Sequence, residues 1–387
     1  SHGPKLVAII EGLPAGLRVD AAQIDLDLAR RQQGYARGQR MRSIEKDRAS
    51  FTAGVRYGET FGAPVLVEIE NLDHAKWTEI MTPSPRQDGA SDERVLTRPR
   101  PGHADLSGGL KYGRGDLRDA LERASARTTA SRIAAGSIAK SLLAEIGVEV
   151  RGFVTEIGGA SWTVPQDPDW TTLFARAEAS DVRCPDEAAS LAMHERIDEA
   201  RKLGDTVGGA FTVVARGLPT GLGSYAEWDR KLDGRLAQAV MSIPAVKAVE
   251  IGLGVECGRR LGSEVHDEIR FDEALRGSGS GGFFRATNRA GGLEAGVTNG
   301  ADLIVRGTMK PISTLARPLG SVDMVTKLPS PAGYERSDIC AVPACAVIAE
   351  AAVAFVLADA VIEAYGGDTI HDLRAHHAEV IARYGRA

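Results

Sequence analysis

Leu6-Val-Ala-Ile-Ile-Glu-Gly-Leu-Pro-Ala-Gly-Leu17 returns in outline as Phe211-Thr-Val-Val-Ala-Arg-Gly-Leu-Pro-Thr-Gly-Leu222. Both are apolar runs of strand type that end in a Gly-Leu-Pro-x-Gly-Leu turn. Two weaker echoes follow in the same order. Ala53-Gly-Val-Arg-Tyr-Gly58, with the strand after it, resembles Ala295-Gly-Val-Thr-Asn-Gly300. Glu122-Arg123-Ala-Ser125, ahead of an Ala-rich helix, resembles Glu335-Arg336-Ser-Asp338, ahead of another. The offsets are 205, 242 and 213 residues. Constant order with drifting offset predicts two divergent halves, about 1–150 and 205–387, joined by an insertion over 151–204 in a single catalytic domain.

Hydrophobic period predicts strands at 5–11, 51–56, 64–70, 149–155, 209–216, 248–252 and 302–308, and helices at 20–33, 118–145, 187–203, 231–241, 343–365 and 369–383. Asp20 reads as the N-cap of the first helix and Gly34 as its C-terminal stop, and Gly366-Gly367 ends the helix from Ala344. Strands separated by long helices point to layered α/β or α+β packing with a site between the halves. The 387 residues supply ample core. A net charge of −5 is of the wrong sign for a protein that grips a nucleic-acid backbone. Glu350 and Asp359 interrupt the longest apolar run, so it reads as a buried helix and no membrane is expected. Four cysteines without CxxC spacing imply a reducing, cytoplasmic setting, and no HExxH or similar pattern suggests a metal.

Only ten of the 47 basic residues are Lys; 37 are Arg, whose planar fork suits carboxylate and phosphate. In Thr97-Arg98-Pro-Arg100-Pro-Gly-His103-Ala-Asp105 the prolines force an extended, rigid chain. Arg98 and Arg100 are expected on one side, a preorganised anion site beside a proton donor, with a basic surface loop as the competing reading. Arg30-Arg31-Gln-Gln-Gly-Tyr-Ala-Arg37-Gly-Gln-Arg40 closes a helix, so its cations serve either the helix dipole or a binding loop. Arg123, Ser125 and Arg127 lie at a predicted helix start, where free N–H groups attract anions. The echo replaces Ser125 by the acid Asp338, which suggests that one half binds while the other does proton chemistry. Lys310-Pro-Ile-Ser313-Thr314 after a strand would suit a phosphate tail. The Gly277–Gly282 run satisfies GxGxxG but follows no strand and opens no helix, so it reads as a flexible surface loop. His266, His371, His376 and His377 sit among charges and read as solvated, and Ser1-His2-Gly3 taken alone looks like a tag remnant.

Together these motifs carry a resemblance. Ser1-His2-Gly3 with the following VAIIEGLPAG, RRQQGYARGQRM, TRPRPGHAD, ERASARTTA, SIPAVKAVEIG, NRAGGLEAGVTNG, KPIST and RSDICAVP occur at family-like intervals, and the chain resembles chorismate synthases along essentially its whole length. The resemblance implies a layered β-α-β sandwich with an internal pseudo-twofold repeat and a homotetramer. It implies anti-1,4-elimination of phosphate from 5-enolpyruvylshikimate 3-phosphate to give chorismate, with reduced FMN and no net redox change. It assigns His2 to protonating the departing phosphate, His103 to the flavin N1 side, and Asp338 to accepting a proton by way of flavin N5. Arg31, Arg37, Arg100, Arg127 and Arg336 would anchor the substrate. Arg123, Ala124, Ser125, Pro244, Ala245, Ala295, Lys310, Pro311, Ile312, Ser313, Thr314 and Arg336 would contact the flavin. Ala295 stands where the family usually has Gly, and the family's short segment ahead of Ser-His-Gly is not in this chain. Nothing resembles an NADPH-dependent flavin reductase domain, so an external flavin reductant is expected. A flavin-dependent oxidoreductase would use the same contacts but consume reductant mole for mole, and a non-enzymatic anion-binding module would tolerate loss of His103 and Asp338.

Overall fold

The computed structural model describes residues 1–38, 46–85, 94–335 and 337–386. Arg336 and most of the Ser84–Asp92 stretch therefore lie outside the described residues. Three antiparallel strands, β1 (Lys5–Ile10), β2 (Ala49–Ala53) and β3 (Val65–Glu70), form one sheet in the order β1-β3-β2. Five more, β4 (Glu149–Ile157), β5 (Ala160–Ser161), β6 (Gly209–Arg216), β7 (Val246–Ile251) and β8 (Leu303–Met309), form the other in the order β5-β4-β6-β8-β7.

The helices are α1 (Ala21–Gln32), α2 (Asp105–Tyr112), α3 (Arg118–Ala124), α4 (Thr129–Ala144), α5 (Trp170–Ala179), α6 (Glu187–Leu203), α7 (Leu232–Met241), α8 (Val342–Tyr365) and α9 (Ile370–Tyr384). Helix α4 packs on β1 and β3, α8 packs on β4 and β6, and the two helices pack on each other, which makes a β-α-β sandwich. They cross where Gly136 meets Ala351, because a Cβ at Gly136 would run into the α8 backbone. Helix α8 is apolar and long enough to cross a membrane by length and composition, but here it forms the centre of the core.

The two halves share their hydrogen bonding. Gly12 and Gly16 in the first turn, and Gly217 and Gly221 in the second, all have positive φ, the region that favours glycine. The Thr60 hydroxyl donates to Pro14 O (2.6 Å) and accepts from Leu17 N (3.1 Å). Thr298 does the same with Pro219 O (2.6 Å) and Leu222 N (2.8 Å). Ala8 pairs with Val67 as Val213 pairs with Val305. By these contacts Thr60 matches Thr298, and the turn Tyr57-Gly58 matches Ala295-Gly296. The letter match of Gly54 with Gly296 is therefore four residues out of register.

Other expectations shift as well. The single helix expected over 118–145 is three pieces, because Ser125 takes an extended ψ of 139° and caps the next turn through Arg127 N. Helices α2 and α5 are additional to those expected. Arg98 is exposed while Arg100 is buried, since the chain turns at His103 N to Arg100 O (3.2 Å) instead of continuing as a strand. Gly279 and Gly281 pack closely on Pro219 and Tyr384, so that loop is docked, not a loose surface segment. His376 bonds Tyr365 O and His377 stacks edgewise on the Tyr365 ring, so neither is simply solvated. Burial lowers the His377 pKa.

Candidate active site

After α1 the chain runs through Gly34-Tyr35-Ala36-Arg37-Gly38, a strap that touches the N-terminal ends of both core helices. At the start of α4, Arg31 donates from Nε to Thr129 Oγ1 (2.9 Å) and from Nη2 to Ala126 O (3.2 Å). At the start of α8, Arg37 Nη1 donates to Asp338 Oδ2 (2.5 Å) and Gly38 N donates to Asp338 Oδ1 (2.6 Å). Arg127 forms a two-pronged pair with Asp47 (2.6 and 2.8 Å), and Arg31 lies 3.8 Å from the same carboxylate. Arg31, Arg37 and Arg127 are 2, 7 and 3 % exposed, and Arg37 Nε has no hydrogen-bond partner among the described residues. A buried guanidinium donor without an acceptor is costly, so this position is suited to an incoming anion.

A second group joins it. Arg100 donates from Nε to Asp105 Oδ2 (2.8 Å) and from Nη1 to Thr314 Oγ1 (2.9 Å), and His103 Nδ1 meets Asp105 Oδ1 at 2.6 Å. Burial alone would raise the Asp105 carboxyl, but the hydrogen bonds from His103 and Arg100 and the guanidinium charge outweigh it and hold the group well below the usual carboxylate range. Ser337 Oγ donates to Thr314 O (3.0 Å), which carries the contact on to Asp338. Lys310 Nζ donates to Gly102 O, and Lys310 N donates to Ala245 O (2.9 Å).

His2 sits in a third group, 5 % exposed, with Nδ1 2.6 Å from Glu122 Oε1 and its ring stacked on Trp77 at 3.8 Å. Arg118 lies over the other part of that cluster and pairs with Glu335 (3.1 Å), next to Ser337. Contacts thus link Arg100, His103, Thr314, Ser337, Asp338, Arg37, Arg31 and Arg127, drawn from both halves, while the His2 group leads through Trp77 and Arg118 to Glu335, two residues before Ser337 in the sequence.

The expected flavin contacts divide. Ser125 caps the turn before α4, and Arg123 beside it is exposed. Pro244 and Ala245 (φ 71°) lie past the C-terminus of α7, tied to α4 by Arg132 Nη1 on Ser242 Oγ (2.9 Å) and to 310–314 through Lys310. Ala295 is not brought to them. Its turn packs against Leu232 at the opposite end of α7, a helix about 15 Å long. Asp47, Asp105 and Glu122, the carboxylates that organise the arginines and histidines, were not singled out in the sequence. Their only sequence signal is an acid two residues beyond His103 and another just ahead of Arg123.

The chorismate synthase family matches residues 1–362. The chain belongs to that family. It is 55% identical over 383 residues to a chorismate synthase of Desulforudis audaxviator, covering 99% of this chain and 96% of that protein. It is 56% identical over 375 residues to one of Symbiobacterium thermophilum, covering 96% and 94%. A crystal structure of a chorismate synthase superposes with a TM-score of 0.79 at 37% identity, covering 100% of this chain and 96% of that one. Chorismate synthases are carbon–oxygen lyases at the last step of the shikimate pathway. That elimination of phosphate from 5-enolpyruvylshikimate 3-phosphate is the reaction of this chain, and the family's β-α-β sandwich is its fold.

Proposed function

We propose that the elimination takes place against the strap over 31–38, with the arginine cluster as substrate anchor and His2, His103 and Asp338 as the proton-handling groups. The observation that carries this reading is the convergence of Arg31, Arg37 and Arg127 with Asp338 across the starts of α4 and α8, including the unpartnered Arg37 Nε. The substrate carries two carboxylates and a phosphate. Asp47 and Asp338 show how a carboxylate seats on Arg127 and Arg37, and substrate oxygens would take the guanidinium donors these leave open, Arg37 Nε first. Arg100 and Arg336 complete the anchor.

In the reaction the C3–O bond breaks and phosphate leaves, C6 loses a proton, and the ring gains a second double bond. His2 donates the proton that neutralises the departing phosphate, and Asp338 receives the proton from C6. Each group works at a fixed atom because its side chain is already held: His2 by Glu122, and Asp338 by Arg37 and the Gly38 amide.

Reduced FMN, which the family requires, would when bound supply transient electron density to the substrate without net redox change. The residues present fit such a group. Lys310, Ser313 and Ser125 offer a cation and hydroxyls, Ala245 presents its backbone at positive φ, and Gly102 lies where a Cβ would meet Lys310 Nζ. Arg123, Ala124, Pro244, Pro311, Ile312 and Thr314 complete the cradle, with His103 on the flavin N1 side. Ala295 belongs to the cradle only if the assembled tetramer brings it there.

Homotetramer formation is supported by exposed Ile269, Phe271 and Phe283 on one short hairpin. All four cysteines are free, which supports a cytoplasmic setting with FMN reduced by an external partner. An anaerobic assay with reduced FMN and 5-enolpyruvylshikimate 3-phosphate tests the reading. Phosphate and chorismate are expected in equal amounts with reductant unchanged; mole-for-mole loss of reductant would favour an oxidoreductase instead.

A further inference from the structure

His2 is held by more than one contact. The Glu122 carboxylate accepts from the His2 backbone N–H (2.8 Å) with Oε2 and meets ring Nδ1 (2.6 Å) with Oε1, so one side chain grips both ends of the residue. Trp77 covers the ring face, and His74 Nδ1 lies 2.9 Å from His2 O. Nε2 points to the other side, 3.9 Å from Asp73 Oδ2. We propose that Glu122 is a positioning residue for the acid His2: it holds Nδ1 as the donor to its own carboxylate and leaves Nε2 as the nitrogen that exchanges the working proton.

The inference rests on the reading of His2 as the acid, and its physical basis is general. A carboxylate on one imidazole nitrogen fixes the tautomer and the ring plane, and stabilises the imidazolium. The charged groups facing the pair come from two elements. Helix α3 supplies Glu122 and Arg118, and the turn at 72–76 supplies Asp73 and His74. Arg94 also lies over Trp77, at 3.9 Å. Burial pushes the Glu122 carboxyl up, whereas the hydrogen bond and charge of His2 pull it down.

Removing the acceptor from Nδ1 releases the tautomer. In Glu122→Ala, ring-nitrogen NMR, with the His2 signals assigned by their loss in His2→Gln, is expected to show the ring proton shared between Nδ1 and Nε2 instead of held on Nδ1. The rate constant kcat near neutrality should fall about tenfold, and KM should change far less. Glu122→Asp is expected to recover part of both effects, which a purely structural role would not do. A ring proton that stays on Nδ1 in the folded Glu122→Ala protein overturns the proposal whatever happens to the rate. If His2→Gln keeps the parental rate, the underlying assignment of His2 fails instead, and the two failures are read from different measurements.

Discussion

The start of α4 and the start of α8 occupy matching places in the two halves yet carry opposite chemistry. Counting 213 residues on from the first, Ser125 becomes Asp338, Arg127 becomes Cys340 and Ser137 becomes Glu350. One start offers a hydroxyl cap and a buried cation. The other offers an acid, and a thiol whose pKa burial pushes up to about 12. The turns around Thr60 and Thr298 kept the same hydrogen bonds in both halves. Repetition is therefore strict where backbone donors must be satisfied and loose where side chains meet a ligand.

The largest expected contrast is inside the core. Glu350 is 1 % exposed and meets Arg30 (2.7 and 2.8 Å), Lys140 (2.8 Å) and the Gly152 amide (2.9 Å), while Ser137 Oγ has no partner among the described residues. Glu350→Ala strands the buried Gly152 amide, leaves Arg30 with Asp27 and Glu178 and leaves Lys140 with Asp27 alone, and should cost about 3–5 kcal/mol in urea unfolding. Ser137→Ala should change stability by less than about 0.5 kcal/mol. Burial raises the Glu350 carboxyl, but the charges of Lys140 and Arg30 outweigh it and depress its pKa. Its contribution is complete above its ordinary value of 4.5 and is lost as pH falls below that, so the gap between parent and Glu350→Ala should close in acid.

Next in size is the chemistry. Asp338→Asn keeps the size of the group but removes the proton acceptor proposed above and the charge facing Arg37, and should lower kcat by about a hundredfold or more. Ser125→Ala should cost about 1 kcal/mol of stability as a lost cap, with a much smaller fall in rate. Phosphate release read beside thermal melting separates the two. Comparable rate losses from both changes would mean that the two helix starts are not divided into binding and proton transfer.

The outline of the repeat is readable in the sequence, but its details are not. The Gly-Leu-Pro-x-Gly-Leu pair revealed the repeat because a turn with fixed positive-φ positions constrains letters tightly. The second echo misled by four residues. What repeats there is a two-residue turn with both φ values positive; Gly54 shares the positive φ, at 80°, but the Ala53 before it does not. The helix break at Ser125 was hidden because the flanking residues all favour helix, and a single cap decides against them. The arginines stood out as cations, whereas Asp47, Asp105 and Glu122 did not, since acids are common and only the fold brings Asp47 to Arg127, 80 residues away.

The matched turns allow a sharper comparison. Thr60 and Thr298 are 3 and 1 % exposed, and each satisfies one buried carbonyl and one buried amide. Thr→Val at either position strands both groups and should cost about 1–3 kcal/mol. The two penalties are expected to agree within about 0.5 kcal/mol, within the scatter of comparable sites. A Thr298→Val penalty near zero, with a full one at Thr60, would show that the halves share geometry but not stability.

The smallest effect concerns the hairpin turns. Tyr57 and Ala295 both sit at φ 53°, each followed by a glycine, at φ 79° and 91°. An L-residue there carries about 1–2 kcal/mol of strain, which glycine removes. Glycine also frees the unfolded chain, which returns about 0.4–1 kcal/mol in the opposite sense. Tyr57→Gly and Ala295→Gly should therefore each leave stability unchanged or raise it by less than about 1 kcal/mol, measured by thermal unfolding at one protein concentration. Because Ala295 has only a methyl group to lose, a clear destabilisation at that position would mean the methyl is buried by something beyond the single chain. That would distinguish this turn from its twin, where Tyr57 is 90% exposed.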